Sequence, residues 1–293
     1  MNIVARLKDV LEIEKLSQLK VDIILLDTFF SVRVLKRFDL KEIEEIVLTC
    51  KNYNIKTYIS INKMIHEEDL KSLKLFLEEL KTLDIDGIVI GDLTVYVQAK
   101  QIHLESKIIY QPGTMNTETY SVEYFEKHPI KGVTLSREIT LDEIKKILLY
   151  ETKLELSIIG HGYLDMFYSK RKLLTNYFKY KNISGKKIID NYNYRLNEEI
   201  RPNDFYPILE DNYGTHIFRS HKLISYNEIQ IIKSKITDFY IERLFMEDEE
   251  YFDSIKLYNG SIGIDSFLNI YNNYDSGFYY KPTQMVKVNS NES

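Results

Sequence analysis

Eight short apolar runs alternate with longer amphipathic ones, and no other feature constrains the fold as tightly. The short runs are Asn2–Ala5, Asp22–Leu26, Thr57–Ile61, Gly87–Ile90, Lys107–Tyr110, Gly132–Leu135, Leu154–Ile159 and Asp238–Leu244. Runs of this length, rich in Ile, Val and Leu, read as strands buried on both faces. The stretches between them, such as "LKEIEEIVLTC" and "DLKSLKLFLEELKTL", space apolar residues three and four apart, as one face of a helix requires. Two of these helices carry start signals. Asp39 with Glu42, and Thr140 with Glu143, have the spacing of capping boxes, in which each side chain accepts from an amide that the first helical turn leaves unpaired.

Eight strands alternating with helices predict a TIM-type (β/α)8 barrel, not necessarily a regular one, rather than an open sheet. Residues 1–160 supply the first seven strands. Residues 161–237 form an insertion between strands seven and eight, with helical character and a hairpin turning near Asp211–Gly214. It is expected to cover the barrel mouth. Residues 238–293 carry the last strand, a closing helix and a polar tail expected to fray.

The net charge of −5 supplies no global field for nucleic acid, so an RNA contact needs a local patch. Lys170, Arg171 and Lys172 are the candidates, extended by Lys179, Lys181, Lys186 and Lys187. A single cysteine, Cys50, excludes an intrachain disulfide and a cysteine-ligated zinc or iron–sulfur centre built from this chain alone. Its helical surroundings mark it as a core thiol. The opening residues show no secretory signal and no apolar run reaches the length of a membrane span, so a cytoplasmic protein with no membrane contact is expected.

In such barrels the active face lies at the C-terminal strand ends. Those positions hold Asp27, Asn62, Asp92, Gln111, the trio Ser136-Arg137-Glu138, His161 and the pair Glu242-Arg243, with Arg33 just after the second strand. His161, in a Gly-His-Gly turn that ends strand seven, is the natural acid–base candidate, with Glu138 and Glu242 as carboxylates. Arg33, Asn62, Asp92, Gln111, Ser136, Arg137 and Arg243 are the substrate-binding candidates, the arginines because a guanidinium grips a carboxylate or phosphate through two parallel bonds. No metal site is assigned, since nothing has recognisable ligand spacing. Structural readings stand beside these: Arg137–Glu138 and Glu242–Arg243 as ion pairs closing the barrel top, His161 as a hydrogen-bonded core residue, and Asn62 and Gln111 as loop ties.

The opening stretch, "SVRVLKRFDLKEIEEIV", "TYISINKMIHEEDLKSLKLFLEELKTLDIDGIVIGDL" and "VTLSREITLDEI" together resemble the collagenase-like peptidases of family U thirty-two. That family includes tRNA uridine hydroxylation proteins and ubiquinone-hydroxylation accessory proteins. Its signature after strand seven carries two cysteines around a Tyr-Ser-Gly, associated in many relatives with an iron–sulfur cluster. Anchored on Tyr168-Ser169, this chain has Asp165 for the first cysteine, Lys170 for the glycine and Lys172 for the second cysteine. The resemblance implies a component of tRNA wobble-uridine hydroxylation, catalytic or accessory, with no cluster of its own and an unidentified small-molecule co-substrate. It also implies tRNA and a longer cluster-bearing paralogue as partners. Two alternatives stay open: a peptide hydrolase in which His161 and a carboxylate activate water, and a non-catalytic subunit that positions the paralogue.

Overall fold

A computed structural model describes residues 1–281; the polar tail expected to fray lies almost wholly outside them. Strands β1 (Asn2–Arg6), β2 (Ile23–Asp27), β3 (Lys56–Ile61), β4 (Gly87–Ile90), β5 (Ile108–Tyr110), β6 (Gly132–Thr134) and β7 (Glu155–Gly162) pair in parallel, each with the next. Between β7 and the last barrel strand come β8 (Asp165–Ser169), β9 (Arg195–Glu198), β10 (Arg201–Asp211), β11 (Gly214–Phe218) and β12 (Lys222–Ile224). Strand β13 (Asp238–Ile241) then pairs in parallel with both β7 and β1, which closes an eight-stranded (β/α)8 barrel. A short β14 (Tyr274–Asp275) flanks β12.

The barrel strands are buried almost throughout, which is why they read as continuous apolar runs rather than alternating ones. Both capping boxes form: Asp39 accepts from the Glu42 amide at 2.9 Å, and Thr140 accepts from the Glu143 amide at 3.3 Å. Cys50 is buried on the helix Leu40–Asn52, and burial, with Asp86 nearby, pushes its thiol up to about 12.

Strands β8, β11, β10 and β9 make a second, antiparallel sheet in that order, and its hairpin turns at Asp211–Gly214. This sheet and the helix Leu173–Tyr180 sit on the C-terminal end of the barrel, where β8 and β11 wall one side of the mouth.

Strand β7 does not break at Gly160-His161-Gly162 as the sequence suggests; it runs through to Gly162. Its pairing with β13 slips there: Ile159 faces Tyr240, but His161, not Gly160, faces Ile241. Two β7 residues thus oppose a single step of β13, a β-bulge. Gly160 is required because a Cβ would lie 1.9 Å from the Phe239 ring. Gly162 has φ +100, and a Cβ there would lie 2.5 Å from the Glu242 carbonyl oxygen.

Candidate functional site at the barrel mouth

A cavity of about 340 Å³ opens at the C-terminal strand ends, between the barrel and the second sheet. Six of the predicted residues line it: Arg33, Asn62, Asp92, Gln111, Arg137 and Glu242. Strand ends fix most of them. Asn62, after β3, accepts the Val32 amide through Oδ1 at 2.9 Å and so anchors the loop that carries Arg33. Asp92, after β4, caps the helix Leu93–Gln101 through the Thr94 amide at 2.8 Å and also accepts the Ile65 amide at 2.9 Å. Gln111, after β5, donates to Thr134 Oγ1 at 3.3 Å.

Arg33 adopts φ 60, a left-handed conformation unusual for a long side chain, and this aims its guanidinium at Asp165. Asp165, the first residue of β8, is the centre of the charge arrangement. Its Oδ2 lies 3.4 Å from Arg33 and its Oδ1 lies 2.5 Å from Arg137. Burial alone would push this carboxyl up; Arg33 first and then Arg137 outweigh that and hold it below the usual carboxylate range. A second cluster floors the cavity. Arg6 on β1 pairs with the buried Asp27 at the end of β2, and reaches Glu242 at 3.4 Å. Burial disfavours the Arg6 charge, but the two carboxylates raise its pKa above the ordinary value.

Four predicted residues do not reach the cavity. His161 is fully buried on the outer side of the barrel, with Nδ1 3.1 Å from the Tyr258 hydroxyl and its ring among Tyr258, Phe267 and Tyr274. The bulge is the cause. Regular alternation would send His161 inward, two residues after the cavity-lining Ile159, but the extra residue leaves Gly160 and His161 on the same outer face. Burial, with Lys222 nearby, lowers the His161 pKa to about 3. This ring is a neutral core residue.

Arg243 is also fully buried, pairing with Glu12 at 2.7 Å and Asp248 at 2.7 Å, away from the cavity. Ser136 is buried and accepts the Glu138 amide at 3.2 Å, while Glu138 stays half-buried beside the site. The ion pairs suggested between sequence neighbours do not form: Arg137 binds Asp165 and Glu242 binds Arg6. Arg137 and Glu138 lie in a turn after β6, and Glu242 and Arg243 lie just past the end of β13; Arg137, Glu242 and Arg243 each take a partner from a different element. Lys170, Arg171 and Lys172 are exposed directly after β8, whose Met166 and Phe167 are half-exposed on the cavity rim.

Sequence reasoning missed Arg6, Asp165 and His216 as site residues. Asp165 carried a usable signal, since it stands where the signature has its first cysteine. His216, on β11, lines the cavity beneath the stacked ring of Tyr168.

The sequence profile of Peptidase family U32 matches residues 13–282. The chain belongs to Peptidase family U32. It is a member that lacks the signature cysteines. It is 26% identical to a tRNA hydroxylation protein P2 of Bacillus subtilis over 278 residues, 87% of this chain and 89% of that protein. It is 25% identical to an uncharacterized protease of Methanocaldococcus jannaschii over 269 residues, 84% of this chain and 64% of that one. A solved U32 peptidase shares the fold, with a TM-score of 0.52 at 15% identity over 82% of this chain and 92% of its own.

The family implies an iron–sulfur cluster in many members, and the residues at the corresponding positions here do not fit one. Asp165 is committed to two arginines, Lys172 is an exposed cation, and Cys50 lies buried on an outer helix. None offers a thiolate at the cavity. No described helix is long and apolar enough to cross a membrane.

Proposed function

We propose that this chain is a component of tRNA wobble-uridine hydroxylation that works without a cluster of its own. One observation carries the reading. At the position of the family's first cysteine, Asp165 is held by Arg33 and Arg137 in a polar cavity rather than replaced by an inert side chain. A subunit kept only for its outer surface has no need to hold three partly buried charges together at a cavity, because each must recover its lost hydration from a partner. Likeness to the B. subtilis tRNA hydroxylation protein P2 over nearly the whole of both chains supports the RNA assignment.

In this reading Lys170, Arg171 and Lys172 meet phosphates, while the half-exposed Phe167 and Met166 offer the rim an apolar surface for an unstacked base. Glu242, Asn62 and Gln111 supply acceptors and donors for a small molecule inside. Any cluster-dependent step belongs to a longer cysteine-bearing paralogue. The hydrolase alternative relied on His161 to activate water, and that ring is sealed behind β7.

The test is mass spectrometry of tRNA nucleosides from a strain deleted for this gene. Loss of hydroxylated wobble uridine, restored by the wild-type gene, supports the proposal; an unchanged nucleoside profile overturns it. Pull-down of a cysteine-rich paralogue from the same strain tests the accessory arrangement.

A further inference from the structure

The cavity holds a histidine that the sequence did not single out and that the charge arrangement above does not use. His216 on β11 is fully buried, lines the cavity, and among the described residues has no hydrogen-bond partner at either ring nitrogen. A buried imidazole with both nitrogens free is costly unless a ligand completes it. Its position is nonetheless tightly set. Tyr168, its cross-strand neighbour on β8, stacks on the ring at 4.9 Å between centroids, and the Tyr168 hydroxyl is tied to the Tyr213 carbonyl at 2.9 Å.

Asp211, at the end of β10, provides the orientation. Its Oδ1 accepts the amides of Tyr213 at 2.8 Å and Gly214 at 3.1 Å, which fixes the carboxylate in the hairpin turn. Among the described residues its Oδ2 accepts no hydrogen bond; it lies 3.6 Å from His216 Nε2 and 3.7 Å from the Arg37 guanidinium. An acidic oxygen at Nε2 favours the proton there and leaves the lone pair on Nδ1.

We propose that His216, oriented by Asp211, is the proton acceptor of this cavity: Nδ1 takes the proton of an O–H or N–H group on the bound small molecule. The ligand's bond to hydrogen breaks, its electron pair stays on the oxygen or nitrogen, and an N–H bond forms on the ring. The resulting imidazolium sits against Asp211, while Arg33 and Arg137 face the anion left behind. The charged groups around the ring are Asp211 on β10, Asp165 on β8 and Arg33 from the loop after β2. Burial first, then Arg33, keeps the imidazole neutral, the form that accepts a proton, against the pull of the two carboxylates. The inference rests on the cavity being the working site, but not on tRNA being the substrate.

The test has two arms on the full-length protein. In long-range proton–nitrogen NMR of histidine-labelled protein at pH 7, His216 is expected as a single neutral tautomer protonated on Nε2. Asp211→Asn, which keeps an oxygen for the turn amides, is expected to give a tautomer mixture. A ring protonated on Nδ1, a fully charged ring, or no response to Asp211→Asn overturns the proposal. In the second arm, His216→Gln in the complemented deletion strain is expected to lower hydroxylated wobble uridine at least tenfold, with soluble protein at wild-type level. Undiminished modification overturns it. If the wild-type gene itself restores nothing, the tRNA reading falls and the NMR arm alone decides the His216–Asp211 pair.

Discussion

Arg137, after β6, meets Asp165, the first residue of β8, at 2.5 Å across the barrel mouth, and Arg33 approaches the other carboxylate oxygen at 3.4 Å. The contact ties the barrel to the inserted sheet, so the same three side chains join two layers and line the cavity between them. Asp165→Ala leaves two guanidinium groups facing each other without a counter-charge. Breaking a pair this buried is expected to cost about 3 kcal/mol. Denaturant unfolding should show the loss, and Asp165→Asn, which keeps the shape and one acceptor, should lose less.

Gly160 and Gly162 are predicted to serve closure of the barrel rather than chemistry. Gly160→Ala drives a methyl group into the Phe239 ring, and Gly162→Ala adds left-handed strain to a clash with the Glu242 backbone. Each should lower stability by about 2 kcal/mol or more, in the range that overpacking and positive-φ substitution produce. Gly162→Ala should also disturb the cavity, since Glu242 lines it. Thermal unfolding of the two variants, with the same protein concentration and buffer, checks both.

His161 gives a pH dependence of known sign. Its folded pKa of about 3 lies below the ordinary histidine value of 6.5, so between those values the unfolded chain binds more protons than the folded one. The stability contributed by the neutral ring is therefore complete above about pH 6.5 and falls as the pH drops toward 3. His161→Phe, which keeps an aromatic ring beside Tyr258, Phe267 and Tyr274, should flatten that acid limb. Chemical denaturation of both proteins at pH 7 and pH 4.5 measures the difference; equal acid losses would show that His161 is not the group responsible.

The basic run after β8 should behave as a phosphate contact under the proposed role. Each of Lys170→Ala, Arg171→Ala and Lys172→Ala is expected to reduce the slope of log affinity against log salt for tRNA by about 1. Filter binding across a salt series reads this directly. Slopes unchanged in all three variants would assign the run to a solvated surface.

How far the sequence revealed this architecture depended on how local the determining physics is. The barrel was legible because doubly buried parallel strands need continuous apolar runs, and Asp39 and Thr140 announced their helices through contacts three residues away. Asn62, Gln111 and Arg137 were legible as strand-end positions. His161 was misread because one bulged residue reverses the alternation, and nothing in "IIGHGY" distinguishes a bulge from a turn. The partners of Arg137 and Glu242 were hidden because each comes from a distant element, β8 in one case and β1 in the other. His216 was the least accessible of all: its role depends on the register between β8 and β11, set by pairing across an insertion rather than by any periodic pattern.

The most direct test of the central claim compares tRNA nucleosides from the deletion strain carrying either the wild-type gene or Asp165→Asn at matched protein level. The account predicts that wild type restores hydroxylated wobble uridine and that Asp165→Asn restores less than a tenth of it. Full restoration by Asp165→Asn would contradict the claim that the arginine-held carboxylate is the working centre of this cysteine-free site.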